Sequence, residues 1–139
     1  MDSTRKYTRA LDVADSKDVE GGLVKAMKFT KKPNQKWKVV YVDKSVKDAT
    51  SGLNKDTGFH INRPFYFRSR LPMKRVAEVI GANNIVIKKY AKGRAAQQFV
   101  FNGVDKTIHS NHWKNYVMEI QSNGGSTNLQ MISTITSRW

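Results

Sequence analysis

The chain has 139 residues, of which 39% are hydrophobic and 26% charged, which is enough to bury a core in one globular domain. It has no cysteine, which excludes a disulfide framework, a thiolate metal site and a cysteine nucleophile. Its formal net charge of +14, from 25 Lys and Arg against 11 Asp and Glu, favours anionic partners.

Short strands separated by turns are predicted along the whole chain. Residues rich in β-branched and aromatic side chains give the predicted strands, which cover 37–42, 65–69, 85–90, 99–101, 107–110 and 128–132. Residues 73–80 are expected to form at most one helical turn, because Pro72 and the β-branched residues oppose a longer helix. Residues 45–62 are expected to form an inserted surface loop. The pattern indicates an all-β sandwich or barrel.

No export or membrane signal is evident in the sequence. Residues 1–7 lack the apolar core of a secretory signal, and no apolar run reaches the roughly 18 residues that a membrane helix needs. We therefore expect no membrane span and an intracellular setting, in the cytoplasm or on the cytoskeleton.

One arrangement of motifs recurs along the chain. Leu11-Asp12-Val13 is followed by Asn34-Gln35-Lys36-Trp37, and Ala77-Glu78-Val79 is followed by Gln97-Gln98-Phe99. A third start, Met118-Glu119-Ile120, has no Gln-x-aromatic after it before the chain ends. An ordered set of motifs that recurs along a chain indicates a repeat architecture.

This order of motifs resembles the ricin-type β-trefoil family of Gln-x-Trp lectin modules. The resemblance implies a single domain over 1–139, with three pseudo-threefold repeats at about 1–44, 63–103 and 104–139. The last repeat is expected to be incomplete, so the chain is either a fragment of a longer array or has strand edges open to a partner or to self-assembly. Trp37 and Phe99 are expected to be structural core residues, since large aromatic side chains dominate cores.

The resemblance also implies a candidate sugar site in the first repeat. A sugar-binding repeat of the family uses a carboxylate, a stacking aromatic ring and an Asn before the Gln-x-Trp. The corresponding residues of the first repeat are Asp12, Met27, Asn34 and Gln35. Met27 is not aromatic, although Phe29 or Tyr90 could supply a ring from a neighbouring position. The alternative is that Asp12 and Asn34 only cap turns.

In the second repeat the corresponding positions hold Glu78, Lys89 and Ala96, which departs further from the family pattern. The third repeat has Glu119 and Ile132 and lacks the final motif. Only the first repeat therefore keeps part of a sugar site.

Basic residues cluster in corresponding stretches of the first two repeats. The proposed partner surface consists of Lys28, Lys31, Lys32, Lys88, Lys89, Lys92 and Arg94. A third group flanks the second repeat and comprises Arg63, Arg68, Arg70, Lys74 and Arg75. Any single Lys is best explained as solvated surface, but the repetition suggests a site adapted to an acidic protein or anionic polymer.

No catalytic or metal-binding motif was found. His109 and His112 lie on a predicted strand and turn rather than on one helix face, and His60 stands apart from both. We therefore expect no enzyme activity, cofactor or metal, and a binding or scaffolding module that docks on an acidic partner. A lectin is the alternative, and nonspecific nucleic-acid binding is a third possibility.

Overall fold

The structure, a computed structural model, describes residues 9–48, 52–55, 57–81, 84–123 and 126–133. This part of the chain is all-β, as expected, with strands β1 Arg9–Val13, β2 Gly22–Lys28, β3 Trp37–Tyr41, β4 Phe65–Ser69, β5 Val76–Ile80, β6 Asn84–Lys88, β7 Phe99–Phe101, β8 Ile108–Ser110, β9 Tyr116–Asn123 and β10 Ser126–Ser133. Short 3-10 turns cover Ala14–Ser16, Pro33–Gln35, Lys44–Asp48 and Ala95–Gln97. No described helix is long and apolar enough to cross a membrane.

The strands join into one antiparallel sheet that closes around a common core. Its order is β1-β2-β6-β5-β4-β7-β8-β9-β10, and β3 pairs with β4 beside this path. Strand β10 also lies against β2 and β6, so strands from the N-terminal, central and C-terminal parts of the chain contact one another. We call β1–β3 the first unit, β4–β7 the second and β8–β10 the third.

A cluster of phenylalanines fills the core because alternate strand residues point inward. Phe65 and Phe99 are fully buried, and both contact Phe67, at centroid distances of 5.1 Å and 5.2 Å. Edge-to-face and tilted rings at this spacing are favourable beyond the area they bury. Trp37 is half-buried and packs against this cluster.

The junction between the first and second units repeats at the junction between the second and third. Trp37 pairs with Ser69, and Phe99 pairs with Ser110. The residue after each serine donates its N–H to the residue before each aromatic, at 2.9 Å in both cases. The same local hydrogen bonding therefore joins successive units.

Two sequence expectations about local structure were wrong. Residues 76–80 of the possible helical turn form β5, because Ala77 and Val79 pack into the core while the strand pairs with β6. The segment 45–62 is not only a surface loop. His60 is buried, and the Phe59 ring stacks on Phe65 and Phe101 at 5.1 Å and 5.5 Å.

The expected incomplete last repeat and open edges depend partly on residues 1–8 and 134–139, which lie outside the described residues.

An ion-pair clamp joins the β1–β2 loop to the second unit. Arg75 donates from Nη1 to the carbonyl and carboxylate oxygens of Asp18, and from Nε to Glu20 Oε1 at 2.9 Å. Asp18 also accepts the N–H of Met73, and Glu20 accepts the N–H of Lys89 at 2.7 Å. The clamp thus fixes the backbone at Lys89, immediately after β6, among the basic residues of the second unit.

The clamp predicts a component of acid destabilisation that depends on Glu20. The hydrogen bond from Arg75, together with that from the Lys89 N–H, holds the pKa of Glu20 below its ordinary value of 4.5. A carboxyl whose folded-state pKa is lowered stabilises the fold above the unfolded pKa, and this contribution is lost as the pH falls through the folded-state value. Urea unfolding across a pH series should therefore show a shallower acid slope for Glu20→Gln than for the wild type.

Arg75→Gln is the matched partner variant. It should flatten the same part of the profile, although it also removes the hydrogen bonds to Asp18. Adding Glu20→Gln to Arg75→Gln should therefore change the acid slope little further, because the hydrogen bond between the two side chains is already lost. An unchanged acid slope in Glu20→Gln would contradict the clamp.

Candidate functional site

Gln35 links three parts of the first unit through its side-chain amide. Its Nε2 donates to Asp12 Oδ2 and to the carbonyl of Lys28, both at 2.8 Å, and its Oε1 accepts the N–H of Thr30 at 2.7 Å. Gln35 and Asp12 are both buried. Backbone groups of the β2–β3 loop that would otherwise be buried without partners are thereby satisfied.

Gln97 makes the same set of contacts in the second unit. Its Nε2 donates to Glu78 Oε1 at 3.0 Å and to the Lys89 carbonyl at 2.9 Å, and its Oε1 accepts the N–H of Ala91 at 2.9 Å. In each unit the carboxylate comes from the first strand of a hairpin, Asp12 on β1 and Glu78 on β5. We call this arrangement the glutamine lock.

The lock identifies equivalent residues in the two loops that follow β2 and β6. Lys28 corresponds to Lys89, because the carbonyl of each accepts from the lock glutamine. The sequence-based match of Lys89 with Met27 was therefore wrong by one residue. Phe29 therefore corresponds to Tyr90, and these rings are 45% and 41% exposed. Both loops present a lysine followed by an exposed aromatic ring.

We call the stretches 28–32 and 88–94 the basic loops. Together they contain all seven residues predicted for the partner surface. Six of these residues are exposed, and Lys88 is half-buried. Lys32 and Arg94 correspond, since each immediately precedes a 3-10 turn and accepts the N–H of the lock glutamine. The two loops therefore place basic side chains at equivalent points of the fold.

The candidate sugar residues lie together but are partly engaged within the protein. Asp12 holds Gln35, and Asn34 Nδ2 donates to the carbonyl of Val13 at 3.1 Å. Asn34 is 8% exposed, and its Oδ1 has no hydrogen-bond partner among the described residues. Met27 is 45% exposed on β2.

In the second unit the equivalent carboxylate is neutralised. Arg94 Nε lies 3.0 Å from Glu78 Oε1, and its Nη2 donates to Oε2 at 3.2 Å. Glu78 is 2% exposed, whereas Arg94 remains half-exposed. The pair lies in a surface cavity of about 380 Å³, with His112 and Trp113 of the third unit also in its lining. No pattern in the sequence predicted this ion pair or the contribution of the third unit.

Trp37 and Phe99 occupy equivalent positions after the two locks. Phe99 is fully buried, and Trp37 Nε1 donates to the Leu11 carbonyl at 2.9 Å while its ring lies edge-on to Phe67. Both side chains are therefore engaged within the protein.

The described histidines do not form a metal site. Within the described residues no group of three or more His, Asp or Glu side chains is placed to hold a metal ion. His109 lies between Asp105 Oδ2, at 3.1 Å, and the Lys114 carbonyl, at 3.0 Å. Burial alone raises the pKa of Asp105, but hydrogen bonds from Thr107 and His109 outweigh burial and hold that pKa below its ordinary value of 3.8. This contact accounts for His109 as a structural residue.

Comparison with known proteins identifies the fold. No family model and no curated protein sequence matches the chain. The designed threefold-symmetric protein ThreeFoil matches with a TM-score of 0.63 and 18% identity, over 94% of this chain and 84% of that one. The fold is a β-trefoil.

Two natural structures share this β-trefoil fold. The C-half of the earthworm R-type lectin, solved in complex with GalNAc, has a TM-score of 0.53 and 14% identity, over 88% of this chain and 77% of the lectin chain. A chain of the cytolethal distending toxin from Actinobacillus actinomycetemcomitans has a TM-score of 0.60 and 13% identity, over 95% and 83% of the two chains. At these identities the likeness shows the fold alone.

The glutamine lock predicts that Gln97 is required for stability. Gln97→Ala removes the partners of one backbone carbonyl, one backbone N–H and the Glu78 carboxylate, so the free energy of unfolding should fall by about 2–4 kcal/mol. Gln98→Ala is the matched control, because the half-buried Gln98 accepts a single side-chain hydrogen bond, from Asn111. Its loss should be about 1 kcal/mol or less. Equal losses for the two variants in denaturant titrations would argue against the lock.

Proposed function

We propose that this β-trefoil is a non-enzymatic binding module that docks on an anionic partner through its basic loops. The observation that carries the proposal is the equivalence of Lys28-Phe29 and Lys89-Tyr90, which places the same exposed pair of a cation and a ring in two units. A lysine that is merely solvated has no reason to recur beside an exposed ring at the same point of a repeat.

The distribution of charge within the two units supports the same partner class. Three carboxylates beside the basic loops have partners within the protein: Asp12 binds Gln35, Glu78 binds Gln97 and Arg94, and Glu20 binds Arg75 and the Lys89 N–H. The lysines of the basic loops, in contrast, have exposed side chains, except for the half-buried Lys88. With a net charge of +14 on the chain, the field at the loops attracts an acidic protein or an anionic polymer. We place the protein inside the cell, in the cytoplasm or on the cytoskeleton.

A lectin is the second candidate, and one observation in the first unit favours it. Asn34 Oδ1 is buried beside the loop without a hydrogen-bond partner among the described residues, and such a group is costly unless something satisfies it. A sugar hydroxyl at Asp12 and Asn34 would supply a donor. The earthworm lectin, solved with GalNAc, has the same fold.

Charge reversal in the basic loops tests the leading proposal. Lys28→Glu/Lys89→Glu should weaken binding to a sulfated polysaccharide, polyglutamate or an oligonucleotide by roughly tenfold or more at low salt, because favourable charge contacts become repulsive. Lys17→Glu/Lys114→Glu makes the same charge change at exposed residues outside the loops and should cost much less. Equal losses of affinity in the two double variants would mean that only the net charge of the protein matters for binding. That result would contradict docking through the basic loops.

A glycan array followed by salt titration tests the lectin candidate. If the first unit binds sugar, binding should be competed by the free sugar, survive high salt and weaken in Asp12→Asn. The Lys28→Glu/Lys89→Glu variant should then bind as the wild type does. Binding that is abolished by the lysine changes and indifferent to Asp12→Asn would eliminate the lectin candidate.

A further inference from the structure

Four cations form two directly opposed pairs on the outer face of β3 and β4, with one pair at the residues immediately outside the two strands. Lys38 lies opposite Arg68 in the strand register, and Lys36 lies opposite Arg70, whose N–H donates to the Lys36 carbonyl at 2.9 Å. The alternate residues of both strands, such as Phe67, face the core, so these four side chains point outward. We call Lys36, Lys38, Arg68 and Arg70 the cationic ladder.

We expect the ladder to destabilise the free protein. Like charges placed directly opposite each other across an antiparallel pair repel. Among the described residues, no carboxylate lies within ion-pair distance of any ladder residue, whereas Arg75 pairs with two carboxylates and Arg94 with one. A bound polyanion would remove the repulsion.

An aromatic pair adjoins the ladder on the same face. Tyr66 precedes Arg68 by two residues on β4, so both side chains project outward; Arg68 Nη2 donates to the Tyr66 hydroxyl at 3.2 Å. The Tyr66 ring stacks on Tyr90 with a centroid distance of 4.8 Å and an angle of 29°. Tyr66 is 7% exposed and Tyr90 is 41% exposed, so a buried ring holds an accessible one in place.

We propose that a single strand of nucleic acid lies along the cationic ladder and stacks a base on Tyr90. Opposed residues of the ladder are separated by roughly 5 Å and alternate residues of one strand by roughly 7 Å, a patch that successive phosphates of one strand can neutralise together. Bases stack on aromatic side chains without regard to sequence. The inference rests on the proposed function in requiring an anionic partner, but it names the partner class and a surface beyond the basic loops.

The ring at the end of the ladder favours a single strand over other polyanions. Acidic proteins and sulfated polysaccharides match the charge, and a pyranose ring can also pack on a tyrosine, but a nucleic-acid strand carries a flat aromatic base beside every phosphate. A duplex keeps its base faces inside its own stack. An unpaired strand uses the cations and the ring together.

Removing two ladder charges tests the phosphate contacts. In fluorescence anisotropy with a labelled oligothymidylate, Lys38→Gln/Arg70→Gln should weaken binding and reduce the slope of log affinity against log salt by about 1.4, from about 0.7 for each of two lost phosphate contacts. Lys17→Gln/Lys114→Gln makes the same change in net charge away from the ladder and should leave the slope nearly unchanged.

The same variant tests the stored repulsion without any ligand. Lys38→Gln/Arg70→Gln should raise the midpoint of thermal unfolding at low salt by roughly 1–4 °C, because each opposed pair loses its repulsion. A variant that binds less and is more stable cannot owe its lost binding to misfolding. A lowered midpoint would count against the ladder as described.

Tyr90 variants test the stacked base. Tyr90→Ala should weaken binding of the oligothymidylate by about 5- to 150-fold, the range measured when a stacking side chain is truncated, while Tyr90→Phe should retain most of the affinity. Equal binding by Tyr90→Ala and the wild type would overturn the stacking.

The remaining outcomes separate this inference from the proposed function. Tighter binding of a duplex or a sulfated polysaccharide, with no effect of Tyr90→Ala, would overturn the inference and leave an anionic partner in place. So would a wild-type salt slope in Lys38→Gln/Arg70→Gln together with lost binding in Lys28→Glu/Lys89→Glu. Absence of binding to every polyanion at low salt would overturn both.

Discussion

The glutamine lock is the interaction on which the rest of this structure depends. A single amide side chain joins a carboxylate on one strand, a carbonyl at the end of the next and an N–H in the following loop. Each of these groups would be costly to bury alone. Gln35 and Gln97 make the same hydrogen bonds in two units, so the loops after β2 and β6 begin at equivalent positions of the fold. The exposed residues of these loops are therefore equivalent as well.

The sequence predicted the fold because its strongest signals were local. The Gln-x-aromatic motifs, the β-branched runs and the turn residues each act over a few positions, and the strands at 65–69 and 99–101 were predicted with the observed bounds. The strand at 76–80 was missed, because its burial comes from pairing with β6 and from the core rather than from an alternating pattern of its own.

The surface chemistry was less predictable, because it arises from contacts between distant positions. Arg94 was grouped with free surface cations but pairs with Glu78, and Arg75 was grouped with Arg68 and Arg70 but is held by Asp18 and Glu20. Lys36 and Arg70 become opposed only once the register of β3 and β4 is set. The charge pattern of the sequence could not distinguish basic residues that form ion pairs within the fold from those that point outward without one.

The two locks tolerate different loop lengths. From Lys28 to Gln35 the chain advances seven residues, whereas from Lys89 to Gln97 it advances eight, yet both glutamines make the same three kinds of hydrogen bond. Gly93, with a φ of 78°, lies within the longer loop, and Lys31, with a φ of 65°, lies in the shorter one. The lock therefore keeps the same hydrogen bonds to the strands when the loop that it anchors gains a residue. The surface residues of one unit's loop can thus change without disturbing the other unit.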